Sequence, residues 1–383
     1  MYGSSTKSEL AIVGAGFAGL ACAQAAAVRG VDTIVFDKKS RAGERPHTTG
    51  ILVKEVADDW DVPRGLTRKI RNVRLYSSNL SSFELRSPGY SFLATDTSGL
   101  LEWFSERAVD AGVRLRFDAP CLDLDPTNDG YYLADQDVAA RYVVACDGAK
   151  SAIAKHEGLG VNRDFLVGVE QEFEGVRGLD EDALHVFVDS EVARGYIAWI
   201  VPGLGITQVG CAARSPASPR LDAFLERIRG LFDFSRARIV GRRGGLIPCG
   251  GIVRPFSTSR LLLLGDAAGM VSPLTAGGIQ PALELGRKAG VAITDFLHDG
   301  AADPASVLRR SLPSFRLKRF LRWLYDLPFS DSIVNLLFAT PPFRSLAQAV
   351  FYHHRGIFSP QCWREMVAVK RSGAVDAPVA RIR

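Results

Sequence analysis

The sequence predicts an α/β protein in which a three-layer domain on a parallel sheet is interrupted by a second, mostly antiparallel sheet and followed by helices. Three observations support this. The chain opens with an apolar strand, a glycine-rich turn and an Ala-rich helix. Strand-like segments at short intervals fill residues 156–255, and a buried strand and a long helix return after residue 260. Strands alternating with helices favour a parallel sheet, whereas short strands joined by turns favour an antiparallel one.

The first element is a nucleotide-binding turn. An apolar strand over residues 10–13 runs into glycines spaced GxGxxG, and a helix is predicted over residues 17–29. In this pattern the first glycine makes a tight turn, the second lets the backbone approach a pyrophosphate, and the third lets the helix pack closely. The helix N-terminus favours the phosphate charge. We therefore assign these residues to pyrophosphate binding: Gly14, Ala15, Gly16, Phe17, Ala18 and Gly19.

A carboxylate follows at the end of the next strand. Residues 33–36 are apolar, and Asp37 comes after them, about as far from the glycines as the acid that accepts hydrogen bonds from an adenosine ribose. Lys38 is beside it. The polar stretch 38–50 is long for a plain connection, so we expect it to cross the cofactor. It contains Arg45, which could hold a phosphate or a substrate carboxylate or lie exposed, and His47, a candidate for proton transfer.

Two later strands also end on an acid beside a glycine. Asp147-Gly148 follows the strand 141–146, and Gly265-Asp266 follows the strand 260–264. A carboxylate at a strand end suits a ribityl hydroxyl of an extended flavin, which we assign to Asp266. Backbone N–H groups at the start of the helix predicted over 278–297 suit the flavin N1/C2 edge. The residues assigned to the flavin end are Pro273, Gly277, Gly278 and Ile279. Together the three segments indicate FAD.

These segments predict a discontinuous organisation. Residues 1–68, 94–155 and 256–300 form an FAD-binding Rossmann-like three-layer domain. Residues 69–93 and 156–255 form the inserted, mostly antiparallel β-sheet substrate domain, which begins with a hairpin over 70–76 and 82–85. Residues 301–383 form a helical C-terminal region.

Composition excludes several classes of protein. The chain has 383 residues, and its net charge of +5 is spread along the sequence, so nucleic acid is not an expected partner. Its six cysteines show neither CxxC nor Cys/His metal spacing, which predicts reduced thiols, no metal and a cytoplasmic location. The only stretch that resembles a signal or membrane segment carries the nucleotide-binding glycines, so we expect neither. A monomer is slightly favoured.

Three motifs carry a family resemblance: GAGFAGL, ACDGAKS and LLLLGDAAGMVSPLTAGGIQPALELGRKAG. The chain resembles the flavoprotein superfamily of p-hydroxybenzoate hydroxylase and geranylgeranyl reductase, which has the glutathione-reductase-type FAD fold, over residues 8–295. The resemblance implies a two-domain flavoenzyme whose substrate lies over the flavin beneath an antiparallel sheet. It assigns the first glycines and Asp37 to AMP and pyrophosphate, Asp266 to the ribityl chain, and Gly277 and Gly278 to the flavin.

The substrate side is less defined. Residues 195–203 are similar to the reductases' Tyr-x-Trp-x-Phe-Pro-x-Gly and to the halogenases' Trp-x-Trp-x-Ile-Pro; Trp199 and Pro202 fit, but Ile197 replaces the first aromatic. Tyr196 and Trp199 either line an apolar pocket above the flavin or belong to the core of the substrate domain. No second dinucleotide motif exists, so NAD(P)H, if used, binds transiently, or another protein supplies electrons.

The first functional hypothesis is therefore an FAD-dependent oxidoreductase that reduces a hydrophobic, isoprenoid-like small molecule by hydride transfer through flavin N5. The alternatives are an FAD-dependent monooxygenase acting on an aromatic substrate, a halogenase, and a non-catalytic flavin-binding redox sensor. Amphipathic basic segments at 316–325 and 342–354 either pack against the protein or a partner chain, or contact a membrane surface that supplies the substrate.

Overall fold

The computed structural model describes residues 6–87, 89–326, 331–338 and 340–352. The strands are β1 (Thr6–Val13), β2 (Thr33–Phe36), β3 (Ile51–Leu52), β4 (Thr67–Ile70), β5 (Asn72–Ser77), β6 (Ser82–Arg86), β7 (Phe92–Thr95), β8 (Arg114–Arg116), β9 (Leu124–Pro126), β10 (Tyr131–Leu133), β11 (Val138–Ala145), β12 (Phe165–Glu174), β13 (Ala183–Val188), β14 (Ala198–Pro202), β15 (Thr207–Arg214), β16 (Arg238–Pro248) and β17 (Leu261–Leu263).

The helices are α1 (Phe17–Ala27), α2 (Lys54–Asp59), α3 (Thr97–Asp110), α4 (Ala152–His156), α5 (Leu221–Ile228), α6 (Ile279–Asp299), α7 (Pro304–Ser311), α8 (Arg316–Tyr325), α9 (Asp331–Phe338) and α10 (Pro341–Tyr352). The chain divides into two compact units. One contains the residues up to Pro46, Thr97–Phe165 and Ile247–Arg322; the other contains His47–Asp96, Leu166–Leu246 and the chain from Trp323 onward.

The first unit is built on a parallel sheet, as its strand–helix alternation predicts. Strands β8, β2, β1 and β11 lie side by side and pair in parallel, and β17 pairs in parallel with the C-terminal half of β11. The N-terminal half of β11 continues into an antiparallel meander with β10 and β9. Because the apolar ends of β1 and β11 are fully paired, the loops that follow them emerge at the same edge of the sheet.

Helices α1 and α6 pack against each other through small residues. A Cβ added at Gly286 would lie 2.5 Å from the carbonyl oxygen of Ala18, and one added at Gly290 would lie 2.8 Å from the Cβ of Ala25. No larger side chain fits there without moving a helix. This contact fixes the N-terminus of α1 relative to the helix that follows the third motif.

The second unit contains a seven-stranded sheet in the order β16-β12-β15-β14-β13-β5-β6. Strands β12, β15, β14 and β13 pair antiparallel, as do β5 and β6, whereas β13 and β5 pair in parallel. Phe224 and Ile228 of α5 are buried with the side chains on one face. The opposite face contributes to a second apolar cluster that includes residues of β5, β7, α9 and α10.

The predicted limits of the inserted domain cut through paired strands. Those limits, 68/69 and 93/94, fall inside β4 and β7, which pair antiparallel, and β3 also pairs with β7. Residues 47–68 belong to the second unit, so the polar stretch 38–50, which we expected to cross the cofactor, is divided between the two units. The short elements β3 and α2 had no periodic pattern from which to predict them.

Among the residues that the structure describes, no helix is long and apolar enough to cross a membrane, and no cluster of metal-ligating side chains occurs. The five cysteines of the described residues form no disulfide bonds with one another. The predicted tail helices correspond to α8 and α10, while residues 353–383 of the C-terminal region lie outside the described part.

Candidate functional site

In the glycine turn after β1, two glycines are required by the close packing of the backbone, and the third lies beside open space. Gly14 has φ +110°, and an added Cβ there would overlap the carbonyl oxygen of Cys146; one at Gly19 would overlap the carbonyl oxygen of Gly14. Both positions must be glycine for the protein's own backbone to fold. A Cβ at Gly16 would meet no protein atom within 4 Å. The space beside Gly16 is thus left open by the protein, as a bound phosphate requires.

Asp37 is fixed beside this turn by backbone donors. Its Oδ2 accepts a hydrogen bond from the backbone N–H of Ala15 at 2.7 Å, and its Oδ1 accepts one from Lys39 at 2.9 Å. Each oxygen keeps a lone pair that can accept from a ribose hydroxyl. Burial has the largest influence on the pKa of the Lys39 side chain and lowers it, although the charge of Asp37 acts to raise it. The sequence suggested Lys38 here, whose side chain is exposed.

The second motif presents an acceptor without a donor. Asp147 Oδ2 accepts a hydrogen bond from the N–H of Ile153 at 3.2 Å, while its Oδ1 is buried and lacks a partner among the described residues. Gly148 follows in the left-handed region with φ +91°. Buried polar atoms are almost always hydrogen-bonded in native proteins. This oxygen therefore fits a hydroxyl of a ligand at the end of β11.

The third motif holds a buried carboxyl at the start of a long helix. Burial raises the pKa of Asp266 from its ordinary 3.8 to about 6. A Cβ on Gly278, the residue that caps α6, would lie 3.6 Å from Asp266 Oδ1. No side chain caps this helix, so its first N–H groups stay available to an electron-rich ligand edge. Both features suit the ribityl and flavin parts of FAD.

Asn162 ties the second and third motifs together. Its Nδ2 donates to the carbonyl oxygen of Ala149 at 3.0 Å and to that of Asp266 at 2.8 Å. Sequence reasoning missed this residue because it belongs to neither motif. The two strand-end loops are thereby held at a fixed distance. The donors, acceptors and open space of this unit fit FAD.

The second unit has its own polar centre, on the sheet face that carries Trp199. Gly210 is directly opposite Trp199 and also opposite Glu170 on the other neighbouring strand. A Cβ at Gly210 would lie 2.6 Å from the Trp199 ring, so the indole lies across the glycine. It reaches Glu170, to whose Oε2 the indole Nε1 donates at 2.9 Å. The sequence predicted Trp199 but neither Gly210 nor Glu170.

The segment at the start of this unit closes over the same centre. The Thr49 hydroxyl donates to Glu170 Oε2 at 2.7 Å, and its carbonyl accepts from Gln208 Nε2 at 3.0 Å. Arg243 donates to the carbonyl of Thr48 at 3.0 Å and forms an ion pair with Glu172. Burial, the largest effect, raises the pKa of Glu170.

The comparisons with known proteins agree with this geometry. A family model described as NAD(P)-binding Rossmann-like domain matches residues 12–58. Digeranylgeranylglycerophospholipid reductase 2 of Methanopyrus kandleri is 30% identical over 329 residues, which cover 79% of this chain and 80% of the relative. Reductase 1 of Methanothermobacter thermautotrophicus is 27% identical over 314 residues, or 77% and 79% of the two chains.

The chain belongs to the digeranylgeranylglycerophospholipid reductase family.

Solved structures show the same fold. A geranylgeranyl bacteriochlorophyll reductase-like protein from Thermoplasma acidophilum superposes with a TM-score of 0.79 at 18% identity over 97% of this chain and all of that one. The flavin-dependent brominase Bmp2 superposes with a TM-score of 0.69 at 14% identity, over 96% of this chain and 98% of the brominase. The predicted flavoprotein superfamily and fold class are confirmed, and this member of the reductase family is an FAD-dependent oxidoreductase.

The other residues predicted for the cofactor site differ in their exposure to solvent. Arg45 adopts φ +44° and its side chain is 87% exposed beside Glu44, so a cofactor contact from it stays a prediction. Pro273 is buried, Gly277 is exposed and Ile279 begins α6. Phe17 packs edge-on against Phe104, which gives it a core role.

The two other predicted substrate-side residues belong to the second unit. His47 is exposed, and its Nδ1 lies 3.0 Å from the carbonyl oxygen of Gly244, to which it donates. Tyr196 is buried in the turn before β14, where its carbonyl accepts a hydrogen bond from the Tyr325 hydroxyl at 2.8 Å. Their roles toward a substrate stay predictions.

Asp266 should make the stability of the apoprotein depend on pH. Its folded pKa of about 6 lies above the ordinary 3.8, so the neutral acid is favoured in the folded state. The contribution of Asp266 to stability is therefore greatest below pH ~4 and is lost as the pH rises through about 6. We expect the melting temperature of the FAD-free protein to fall less over this range in Asp266→Asn than in the wild type, by calorimetry. Asp129→Asn, at an exposed turn, is the control and should keep the wild-type slope. Equal slopes in all three proteins would contradict the assignment.

Proposed function

We propose that this protein reduces carbon–carbon double bonds of an isoprenoid lipid. The relatives that match about four fifths of their own length are named as reductases of a digeranylgeranyl glycerophospholipid. When bound, FAD supplies hydride at its N5 atom. The first unit contributes the residues that would hold it: the glycine turn, Asp37 and Asp266.

The observation that favours an apolar substrate is the composition of the sheet face around Trp199. Ile197 and Trp199 are partly buried against an apolar cluster that contains Val201 and Val186. Flat apolar side chains contribute contact area to a polyprenyl chain and make no demand for hydrogen bonds. We propose that this face forms the wall along which the substrate lies, with the indole held in place across Gly210.

The direct experiment supplies the purified protein with FAD, dithionite as the electron donor, and a glycerophospholipid that bears geranylgeranyl chains. We expect mass spectrometry to show the gain of two hydrogens for each double bond reduced. NADH and NADPH are then tried in place of dithionite to identify the donor. An unchanged lipid in the presence of protein-bound, reduced FAD would contradict the proposal.

The monooxygenase alternative differs in its need for oxygen. The similarity of residues 195–203 to a halogenase segment adds a halogenase as a less favoured alternative. Oxygen-dependent hydroxylation of an aromatic substrate would support the monooxygenase and halogenation the halogenase, since reduction of a prenyl lipid proceeds without oxygen.

We also propose that the C-terminal helices contact a lipid surface. Helix α8 carries the exposed Phe320 together with the exposed basic residues Arg316 and Arg319, and helix α9 leaves Ile333, Leu336 and Leu337 between 45% and 75% exposed. Amphipathic helices with exposed apolar groups and cations bind anionic membranes from the side.

Vesicle sedimentation tests this contact. We expect the protein to pellet with anionic vesicles at low salt and to be released at high salt. Leu336→Glu should lower the bound fraction about fivefold or more, because it removes a buried apolar contact with the bilayer. Leu122→Glu, at a residue 50% exposed in the first unit, is the matched control and should bind like the wild type. Failure of the wild type to pellet at low salt would contradict the proposal.

A further inference from the structure

A cleft of about 420 Å³ lies within the second unit, where two turns of the chain run side by side. One turn joins β4 to β5, and the other joins β6 to β7. The turns are adjacent because Ile70 is paired with Phe92, and Asn72 with Arg86. Among the residues that line the cleft are Lys69, Arg71, Asn72, Arg86, Ser87 and Ser91.

The lining of this cleft is positively charged. It contains the cations Lys69, Arg71 and Arg86, and none of the described residues that line it is an acid. Arg71 donates through Nη1 to Asp182 at 2.7 Å, and Arg86 donates through Nε to Glu84 at 2.6 Å. Each guanidinium has further N–H donors besides the one that its ion pair uses. Lys69 is exposed and forms no ion pair within the described part of the chain. Acids of the protein therefore balance the charge of the cleft only in part.

The backbone that carries the two arginines is held by hydrogen bonds. The N–H of Arg71 donates to the carbonyl of Asp182 at 2.9 Å. The carbonyl of Arg86 accepts from Nε2 of Gln348, a buried residue of α10, at 2.6 Å. Because the backbone positions from which both side chains project are fixed, a bound anion has to order little more than the side chains themselves.

An aromatic ring also lines the cleft. Tyr90 packs edge-on against Phe92, with 5.3 Å between the ring centroids, and against Tyr352 of α10 at 5.6 Å. Its hydroxyl donates to Glu55 Oε2 at 3.3 Å. These contacts fix the ring in place. The cleft therefore combines a cationic lining with a rigid, flat surface for a small organic group.

A phosphate group matches this lining better than a carboxylate does. A phosphomonoester has a charge of about −1.5 to −2 at pH 7 and three strong acceptor oxygens, whereas a carboxylate has a single charge and two oxygens. Arginine donates paired N–H groups to phosphate oxygens, and lysine acts as a point charge. Asn72, Ser87 and Ser91 add amide and hydroxyl donors. Ligand pockets commonly measure about 300–1,000 Å³, so the cleft has room for an organic group beside the phosphate.

We propose that this cleft binds the phosphate group of an organic phosphate, which Lys69, Arg71 and Arg86 contact while the organic part lies against Tyr90. The inference concerns binding alone and goes beyond the proposed reduction, which assigns nothing to these residues. A soluble phosphoester and the head group of an anionic phospholipid share this chemistry. No covalent bond is made or broken at the cleft.

Calorimetric titration with sn-glycerol 1-phosphate tests the site. The full-length protein is loaded with FAD beforehand, so that the place of the cofactor's own phosphates is filled. We expect Lys69→Gln and Arg71→Gln each to weaken binding about tenfold or more, because each removes a charge-assisted contact. Lys69→Gln should keep the melting temperature of the wild type, since no ion pair within the described residues is lost.

Arg229→Gln is the matched control. It removes the same charge from another exposed arginine of the second unit, one that is paired with Glu226. We expect this variant to bind the phosphoester like the wild type. Equal affinities in the wild type and all three variants would overturn the inference.

Dioctanoyl phosphatidic acid, used below the concentration at which it forms micelles, distinguishes the two sources of phosphate. Tighter binding of this lipid than of glycerol phosphate would assign the cleft to a phospholipid head group, and equal or weaker binding would assign it to a soluble phosphoester. Either result supports a phosphate site if Lys69→Gln weakens the binding. Dioctanoylglycerol lacks the phosphate and should bind far more weakly than phosphatidic acid does.

Two results would refute the phosphate site whatever the source. One is a wild type that binds neither phosphate probe, and the other is a dioctanoylglycerol affinity equal to that of phosphatidic acid. A wild type that binds the probes through Lys69 and Arg71 but reduces no prenyl lipid would refute the proposed function alone. A wild type that reduces the lipid but does not bind phosphate at the cleft would refute this inference alone.

Discussion

The fold depends on one place where three pieces of backbone come together without side chains between them. At the end of β1, Gly14 approaches the carbonyl of Cys146, and Gly19 approaches the carbonyl of Gly14. Cys146 in turn donates its N–H to Val13 at 2.7 Å. Because no Cβ fits at the two glycines, the strands β1 and β11 and the helix α1 have a single relative position. The space beside Gly16 is a consequence of that position.

In the first unit, three acidic residues follow the ends of the strands β2, β11 and β17. Asp37 is held by two backbone donors, Asp147 keeps a buried oxygen without a partner, and Asp266 is a carboxyl with a raised pKa at the start of α6. Asn162 fixes the last two loops to each other. The unpartnered oxygen of Asp147 fits a ligand that is rich in hydroxyl groups. In the second unit, Glu170 is buried in a polar centre with Glu172, Gln208 and Arg243, next to the Trp199 indole.

The sequence predicted those parts of the molecule in which local pattern and tertiary role coincide. Strand Thr33–Phe36 has the predicted limits, since three apolar residues follow Thr33 and polar residues flank the segment on both sides. The position of the nucleotide-binding turn was predicted from the spacing of Gly14, Gly16 and Gly19. Glu170 could not be found in this way, because an acid alternating with apolar residues in a strand is typical of a solvated face. Only the segment 47–50 and strand β16, brought in from distant parts of the chain, bury it.

The measurement that tests the central claim most directly is a titration of the FAD-free protein with FAD, followed by flavin fluorescence, in the wild type, Gly16→Ala and Gly65→Ala. A Cβ at either glycine meets no protein atom within 4 Å, so neither variant should lose stability through a clash. The account predicts one FAD per chain for the wild type and Gly65→Ala, and an affinity at least about tenfold lower for Gly16→Ala, whose Cβ occupies the place of a phosphate. A wild type that binds no FAD, or equal affinities in all three proteins, would contradict it.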